Sequence, residues 1–238
     1  MTVAIEKNVD ANPAEAIFYP SEDGQPLAET YAHLMAIFAI LSVLKQYLAA
    51  ESAQFSRSID KPGTVLSDQF LYYAKGYPRL RVAPDVMVIF NVAGGGRDNY
   101  KIWEEGEVPS IIFEVTSKGT KGEDESFKHL LYEQLGVQEY WQFDPKGEWI
   151  PNKLKGYWLD EDRYRLIKDA RSTVLKLRLA VEGDLLCFYR EDNGVKLLTP
   201  EELAETNEAL TEAKLAAETE ADRLREKLRS LGVDPDQV

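Results

Sequence analysis

Two acids stand where the chain is otherwise apolar. Glu114 lies inside Ile111-Ile112-Phe113-Glu114-Val115-Thr116, and Asp85 inside Val82-Ala83-Pro84-Asp85-Val86-Met87-Val88-Ile89-Phe90. An isolated carboxylate in such surroundings is strongly unfavourable, so it needs a basic partner, a proton or a metal ion. Both runs are short, β-branched and bounded by turn formers, the pattern of buried strands. Residues two apart on a strand share a face, so Glu114 and Thr116 point together, opposite Phe113 and Val115. If the two strands are neighbours, their carboxylates converge on a divalent cation. Mg²⁺ suits such a place, because it takes a few carboxylates, keeps several waters and is completed by substrate phosphate. A bound ion of this kind activates a water and offsets charge in phosphoryl chemistry. Local readings compete: Asp85 after Pro84 could cap a turn or accept a backbone N–H, and Glu114 could pair with an arginine such as Arg81.

The composition of the 238 residues, 44% hydrophobic and 29% charged, is that of a soluble globular protein able to bury a core. The net charge is −13, and residues 199–238, with 11 acids and 5 bases, carry six of those charges. An acidic body is a poor non-specific partner for DNA or anionic membranes, although a site is a local field and a cation can reverse its sign. Cys187 is the one cysteine, which excludes an internal disulfide framework and, with no Cys/His cluster, a zinc motif. A reducing cytoplasm is the expected compartment. The first residues lack the basic start and apolar core of a secretory signal. Leu34 to Leu44, the longest apolar run, is too short to span a bilayer and reads as a core helix, so no membrane partner is expected.

The elements that must position the acids follow from the patterning. Residues 1–27 read as an arm. Ala28 to Ser52 reads as a helix with Leu34, Phe38, Leu41, Leu44 and Leu48 as its core stripe. Residues 54–90 are strand-rich, and 91–109, with Gly94-Gly95-Gly96, form a connecting loop. After the Glu114 strand, Asp124 to Leu135 reads as a helix with Phe127, Leu130, Leu131 and Leu135 on its apolar face and Gly136 stopping it. Glu139 to Phe143 is a strand, and Trp149 to Leu198 reads as antiparallel hairpins. The order predicts an α+β fold with a mixed central sheet flanked by helices, occupying 28–198. Residues 199–238 form an acidic C-terminal helix, with Thr199 as N-cap and Pro200 first. Leu203, Leu210, Ala217, Leu224 and Leu231 recur every seven residues, which fits a short coiled coil and a dimer contact; a solvated helix is the other reading.

Pro84-Asp85, Glu114-Val115-Thr116-Ser117, Asp124-x-x-x-Lys128, Tyr132 and Gly136-Val137-Gln138-Glu139-Tyr140-Trp141 follow one another in order. That series resembles the Uma family of putative restriction endonucleases, of cyanobacterial type, within the PD-(D/E)XK nuclease superfamily. The resemblance runs from about Glu29 to Pro200. It implies a restriction-endonuclease-like fold and Mg- or Mn-dependent cleavage of DNA phosphodiesters. It makes Asp85 and Glu114 the metal acids and Glu29 the supporting acid of the first helix. The departure is Thr116, where the superfamily pattern places lysine; a hydroxyl carries no cation. Lysine migration to the following helix makes Lys128 the replacement, with Lys118 the runner-up in a loop. Asp124 and Lys128 lie one helical turn apart and could pair. Blander roles exist for Glu29, as an acid near a helix N-terminus, and for Lys128, as a surface lysine. Asp68 is a candidate further acid near the site, weighed here as lying outside it. His33 reads as a core or boundary residue, and no spacing unites it with His129. Tyr140-Trp141 reads as sheet core, Gly94-Gly95-Gly96 as a flexible loop, and Cys187 has no activating partner. A different class of function is a nuclease-like fold serving as a binding or assembly module that oligomerises through its tail.

Overall fold

The run that holds Glu114 is one of two central strands in a six-stranded sheet. The computed structural model describes residues 17–24, 29–54, 63–117, 124–231 and 234, with the backbone alone at 52–54, 124 and 125. The sheet is built from β1 (Thr64–Leu66), β4 (Val86–Ile89), β6 (Ile111–Val115), β7 (Glu139–Phe143), β8 (Leu154–Asp160) and β9 (Arg163–Ile167), side by side in that order. Neighbours are antiparallel except β6 and β7, which run parallel. The sheet is therefore mixed, as the patterning predicts. β2 (Leu71–Tyr72), β3 (Arg81–Val82) and β5 (Tyr100–Lys101) form a small sheet in the order β3-β2-β5. β10 (Arg171–Ser172), β11 (Leu177–Glu182), β12 (Leu185–Arg190) and β13 (Lys196–Leu197) form an antiparallel four-stranded sheet.

Strand alternation gives the central sheet two buried faces. Val86, Val88, Ile111, Phe113, Val115, Trp141 and Phe143 pack on one side with helix α1 (Tyr31–Gln54) and with the inner side chains of β11 and β12. Met87, Ile89, Ile112 and Tyr140 pack on the other with Leu71, Val82, Tyr100 and Tyr132. The buried face of α1 is Ala36, Ile37, Ile40, Val43, Leu44 and Tyr47. Leu44 is in the predicted stripe, and Leu41 and Leu48 pack partly against the core, but Leu34 and Phe38 are 50% and 58% exposed. The reason is that α1 is apolar nearly all round, so spacing alone selects no single face. Tyr31–Glu51 is also long and apolar enough to cross a membrane, longer than the run read from the sequence; half of it is buried in the protein against the sheet.

Between β4 and β6 the predicted loop contains β5 and a one-turn helix α2 (Ile102–Glu105). The predicted 124–135 helix begins with a π-helical turn (Asp124–Lys128) and continues as α3 (His129–Leu135), ended by Gly136 at φ 83°. Phe127 and Leu130 are exposed, whereas Leu131 and Leu135 pack partly against the core beside the buried Tyr132, so the expected face is met in half and shifted. An inserted π turn carries five residues where an α turn carries about four, which rotates every later side chain about the helix axis. The last helix, α4 (Pro200–Ser230), starts on a capping box. The Thr199 hydroxyl accepts from the Glu202 N–H, and the Glu202 carboxylate accepts from the Thr199 N–H.

Candidate functional site

Val86 pairs with Phe113 across β4 and β6, and extending that register one step sets Asp85 opposite Glu114. The two acids therefore meet at one end of the strand pair. Asp85 stands just before β4 rather than inside it, and its Oδ2 accepts the Val115 N–H at 2.6 Å. One local reading, a backbone N–H on Asp85, thus holds. Burial pushes the Asp85 carboxyl well above its ordinary pKa, and the nearby Glu114 charge pushes it further.

Glu114 is 1% exposed and held at both oxygens. Lys128 Nζ donates to Oε2 at 2.8 Å, and the Tyr132 hydroxyl donates to Oε1 at 2.7 Å. Lys128 closes the π turn and Tyr132 stands four residues later, so both reach the same side of the helix. Burial raises the Tyr132 hydroxyl well above its usual pKa and Glu114 adds to this, which keeps it a donor. The reading of Lys128 as a surface lysine is overturned, because it is buried on Glu114. Arg81 lies instead over the Phe70 ring at 4.0 Å and donates to the Tyr72 hydroxyl at 3.2 Å. The Asp124 side chain and all of Lys118 lie outside the described residues, so the expected Asp124–Lys128 pair and the runner-up lysine fall there too.

Two residues that the sequence places elsewhere join this group. His33, in the first turns of α1, is buried, with Nε2 3.7 Å from Glu29 Oε2 and 3.9 Å from Asp85 Oδ1. Its signal was local: Glu29-x-x-x-His33 sets an acid and an imidazole one helical turn apart. Asp68, read as outside, has its carboxyl raised by burial and then by Glu29, while Lys128 pulls the other way. Asp85 feels the Asp68 charge in turn. The Asp68 backbone sits at φ 52° and its N–H donates to the Pro84 carbonyl at 3.2 Å, which docks it beside the Asp85 strand. Nothing in the residues around Asp68 marks it in the sequence.

The other histidine packs among Tyr157, Tyr164 and Tyr140, with ring centroids 4.6, 5.2 and 6.1 Å away, and burial lowers its pKa. Tyr140 and Trp141 are sheet core. Cys187 is buried, which pushes its thiol up to about 11 and leaves it a poor nucleophile.

Among the described residues no three His, Cys, Asp or Glu side chains stand together as a ready metal cage. The donor set instead suits an ion that keeps its waters. Glu114 and Asp68 both raise the Asp85 carboxyl and Glu29 raises that of Asp68, with Lys128 pulling each the other way. Thr116 Oγ1, next after Glu114 on its face, is buried with no hydrogen-bond partner among the described residues, so a polar atom there can take a water or an ion. Mg²⁺ or Mn²⁺ fits this arrangement because such ions bind through one or two carboxylates with retained water.

A family model, Uma2, described as "Putative restriction endonuclease", matches residues 41–199. The chain belongs to this family. The span that the Uma2 model matches holds Asp68, Asp85, Glu114, Lys128 and Tyr132, while Glu29 and His33 precede it. Among curated proteins no match is found. Three chains of solved structures match. One is a putative nuclease of the DUF820 group from Anabaena variabilis, 12% identical, covering 72% of this chain and 80% of its own, with a TM-score of 0.45.

Proposed function

We propose that this Uma2 protein is a metal-dependent endonuclease that hydrolyses DNA phosphodiester bonds. The observation that carries the reading is the 2.8 Å contact from Lys128 Nζ to Glu114 Oε2. A lysine missing from the strand at position 116 is supplied from the next helix, onto the carboxylate it would serve. Asp85 and Glu114, with waters and the Thr116 hydroxyl, would hold Mg²⁺ or Mn²⁺. When bound, the ion supplies charge to the phosphate and lowers the pKa of a water.

The chain's own groups do the rest. Lys128 donates to the attacking water and orients it, with Glu114 as its anchor. Tyr132 holds the other oxygen of Glu114, so the carboxylate cannot rotate away. Glu29 supports the outer shell. His33 Nε2, at 3.7 and 3.9 Å from Glu29 and Asp85, would, when protonated, link the two acids electrostatically.

Purified protein with Mg²⁺ or Mn²⁺ should nick plasmid and single-stranded DNA. Asp85→Ala and Glu114→Ala should each reduce cleavage by at least ~100-fold, the low end for loss of a group acting in the transition state. Cleavage that survives both substitutions overturns the assignment. Calorimetric titration with Mn²⁺ adds a reading independent of turnover, since the wild-type chain should bind and the two variants should not.

A second copy of the chain completes this reading. Leu210, Leu224 and Leu231 are all more than half exposed on or at the end of α4, at positions of the seven-residue series. That exposure supports a dimer formed through paired α4 helices.

A further inference from the structure

An acidic protein that handles a polyanion needs a place where its field is reversed. Residues 69–84 hold Lys75, Arg79 and Arg81 and no acid, whereas a stretch of this length in a chain with 41 acids would average about three. The segment starts and ends at the site. It leaves from Asp68 and returns to Asp85, and its base is closed by the Asp68 N–H to Pro84 carbonyl bond at 3.2 Å.

The excursion is a built projection. Leu71 pairs with Val82 and Tyr72 with Arg81, and β5 pairs with β2 on its other edge. Two turns fold its tip, with the Tyr77 N–H donating to the Ala74 carbonyl at 3.2 Å and the Leu80 N–H to the Tyr77 carbonyl at 2.9 Å. The Tyr19 hydroxyl accepts the Gly76 N–H at 2.6 Å and braces the tip from outside. Arg81 is occupied internally by Phe70 and Tyr72. Lys75 and Arg79 are different: both are exposed, and neither makes an ion pair with any described residue. Tyr77 and Leu80 beside them are 65% and 41% exposed, so the tip projects into solvent.

Chain length fixes the reach. Lys75 is seven residues from Asp68, at most about 25 Å of extended backbone. That is about seven base-pair steps of B-form DNA. A duplex whose scissile phosphate lay at Asp85 and Glu114 would carry further phosphates along that span, within the upper bound on the reach of Lys75 and Arg79.

We propose that the tip of this excursion, through Lys75 and Arg79, grips the phosphate backbone of duplex DNA and lays the substrate across the site. The proposal rests on the nuclease reading above. The two cations, without an ion-pair partner among the described residues, would meet phosphates rather than bases, so their contribution is independent of sequence and sensitive to salt.

The test is binding of a fluorescent 20-base-pair duplex to the full chain in Ca²⁺ buffer, by anisotropy, from 50 to 200 mM salt. K75A/R79A should weaken binding about tenfold or more and flatten the slope of log affinity against log salt by about two. Circular dichroism and the Mn²⁺ titration of the variant should match wild type, since neither residue lies at the site acids. If the wild-type chain cleaves DNA and the double variant binds with unchanged affinity and slope, the surface is wrong and the nuclease reading stands. If the wild-type chain neither cleaves nor binds the duplex, the nuclease reading fails and this proposal falls with it.

Discussion

Asp85 is held in a place that disfavours its charge, and this sets a pH dependence. Its carboxyl is raised well above 3.8 by burial and by Glu114. The folded chain therefore binds that proton more tightly than the unfolded chain does. In metal-free protein the Asp85 contribution to stability falls as pH rises from about 3.8 through the raised value, and stays low above it. Asp85→Asn keeps an acceptor for the Val115 N–H and removes the charge. It should gain about 1 kcal/mol at pH 8, a rise in melting temperature of roughly 2–4 °C, and the gain should shrink towards pH 4. Thermal melts in chelator across that range check it; a variant less stable than wild type at pH 8 contradicts the argument. Asp85 and Glu114 were legible in the sequence because a lone acid in an apolar strand is conspicuous. Asp68 was not, because it sits in locally ordinary surroundings and joins the site only when its turn docks beside β4; His33 had only its spacing from Glu29, which says nothing of Asp85 until α1 packs on the sheet.

At the level of elements, the two central strands were nearly fixed by pattern, and β7 has the predicted bounds. The helices were less legible. Hydropathy all round α1 hides its buried face, and the π turn before α3 turns Lys128 and Tyr132 inward while Phe127 and Leu130 face out. A glycine in mid-strand shows how closely the sheet is fitted. Gly156 of β8 pairs with Trp141, and a Cβ there would stand 2.3 Å from the indole ring. Trp141 is itself packed in the core, so the ring cannot simply withdraw. Gly156→Ala should destabilise the fold by about 1–3 kcal/mol, the range for overpacking, read as a lower urea midpoint at unchanged slope. An unchanged midpoint would mean that the sheet yields more easily than its packing suggests.

At the scale of the whole molecule, α4 is 31 residues long with no buried residue. That is about 46 Å of helix, and a helix that long with no packed face gains little from propensity alone. The proposed pairing predicts that L210E/L224E in the full chain halves the mass measured by light scattering and leaves the sheet-and-helix body intact by near-ultraviolet circular dichroism. An unchanged mass removes the tail from any account of assembly. The sequence showed the heptad spacing but not its partner, because a helix seam facing a second chain and one facing water are written in the same residues.

The double hold on Glu114 also bears on the order in which the molecule is made. Many metal sites are carboxylate or thiolate clusters that repel until their ion arrives, so loading and folding are one event. Here the buried carboxylate already carries a resident cation from Lys128 and a hydrogen bond from Tyr132. A newly synthesised chain can therefore complete its core without any ion, and on the proposed reading a metal would join a fold already finished.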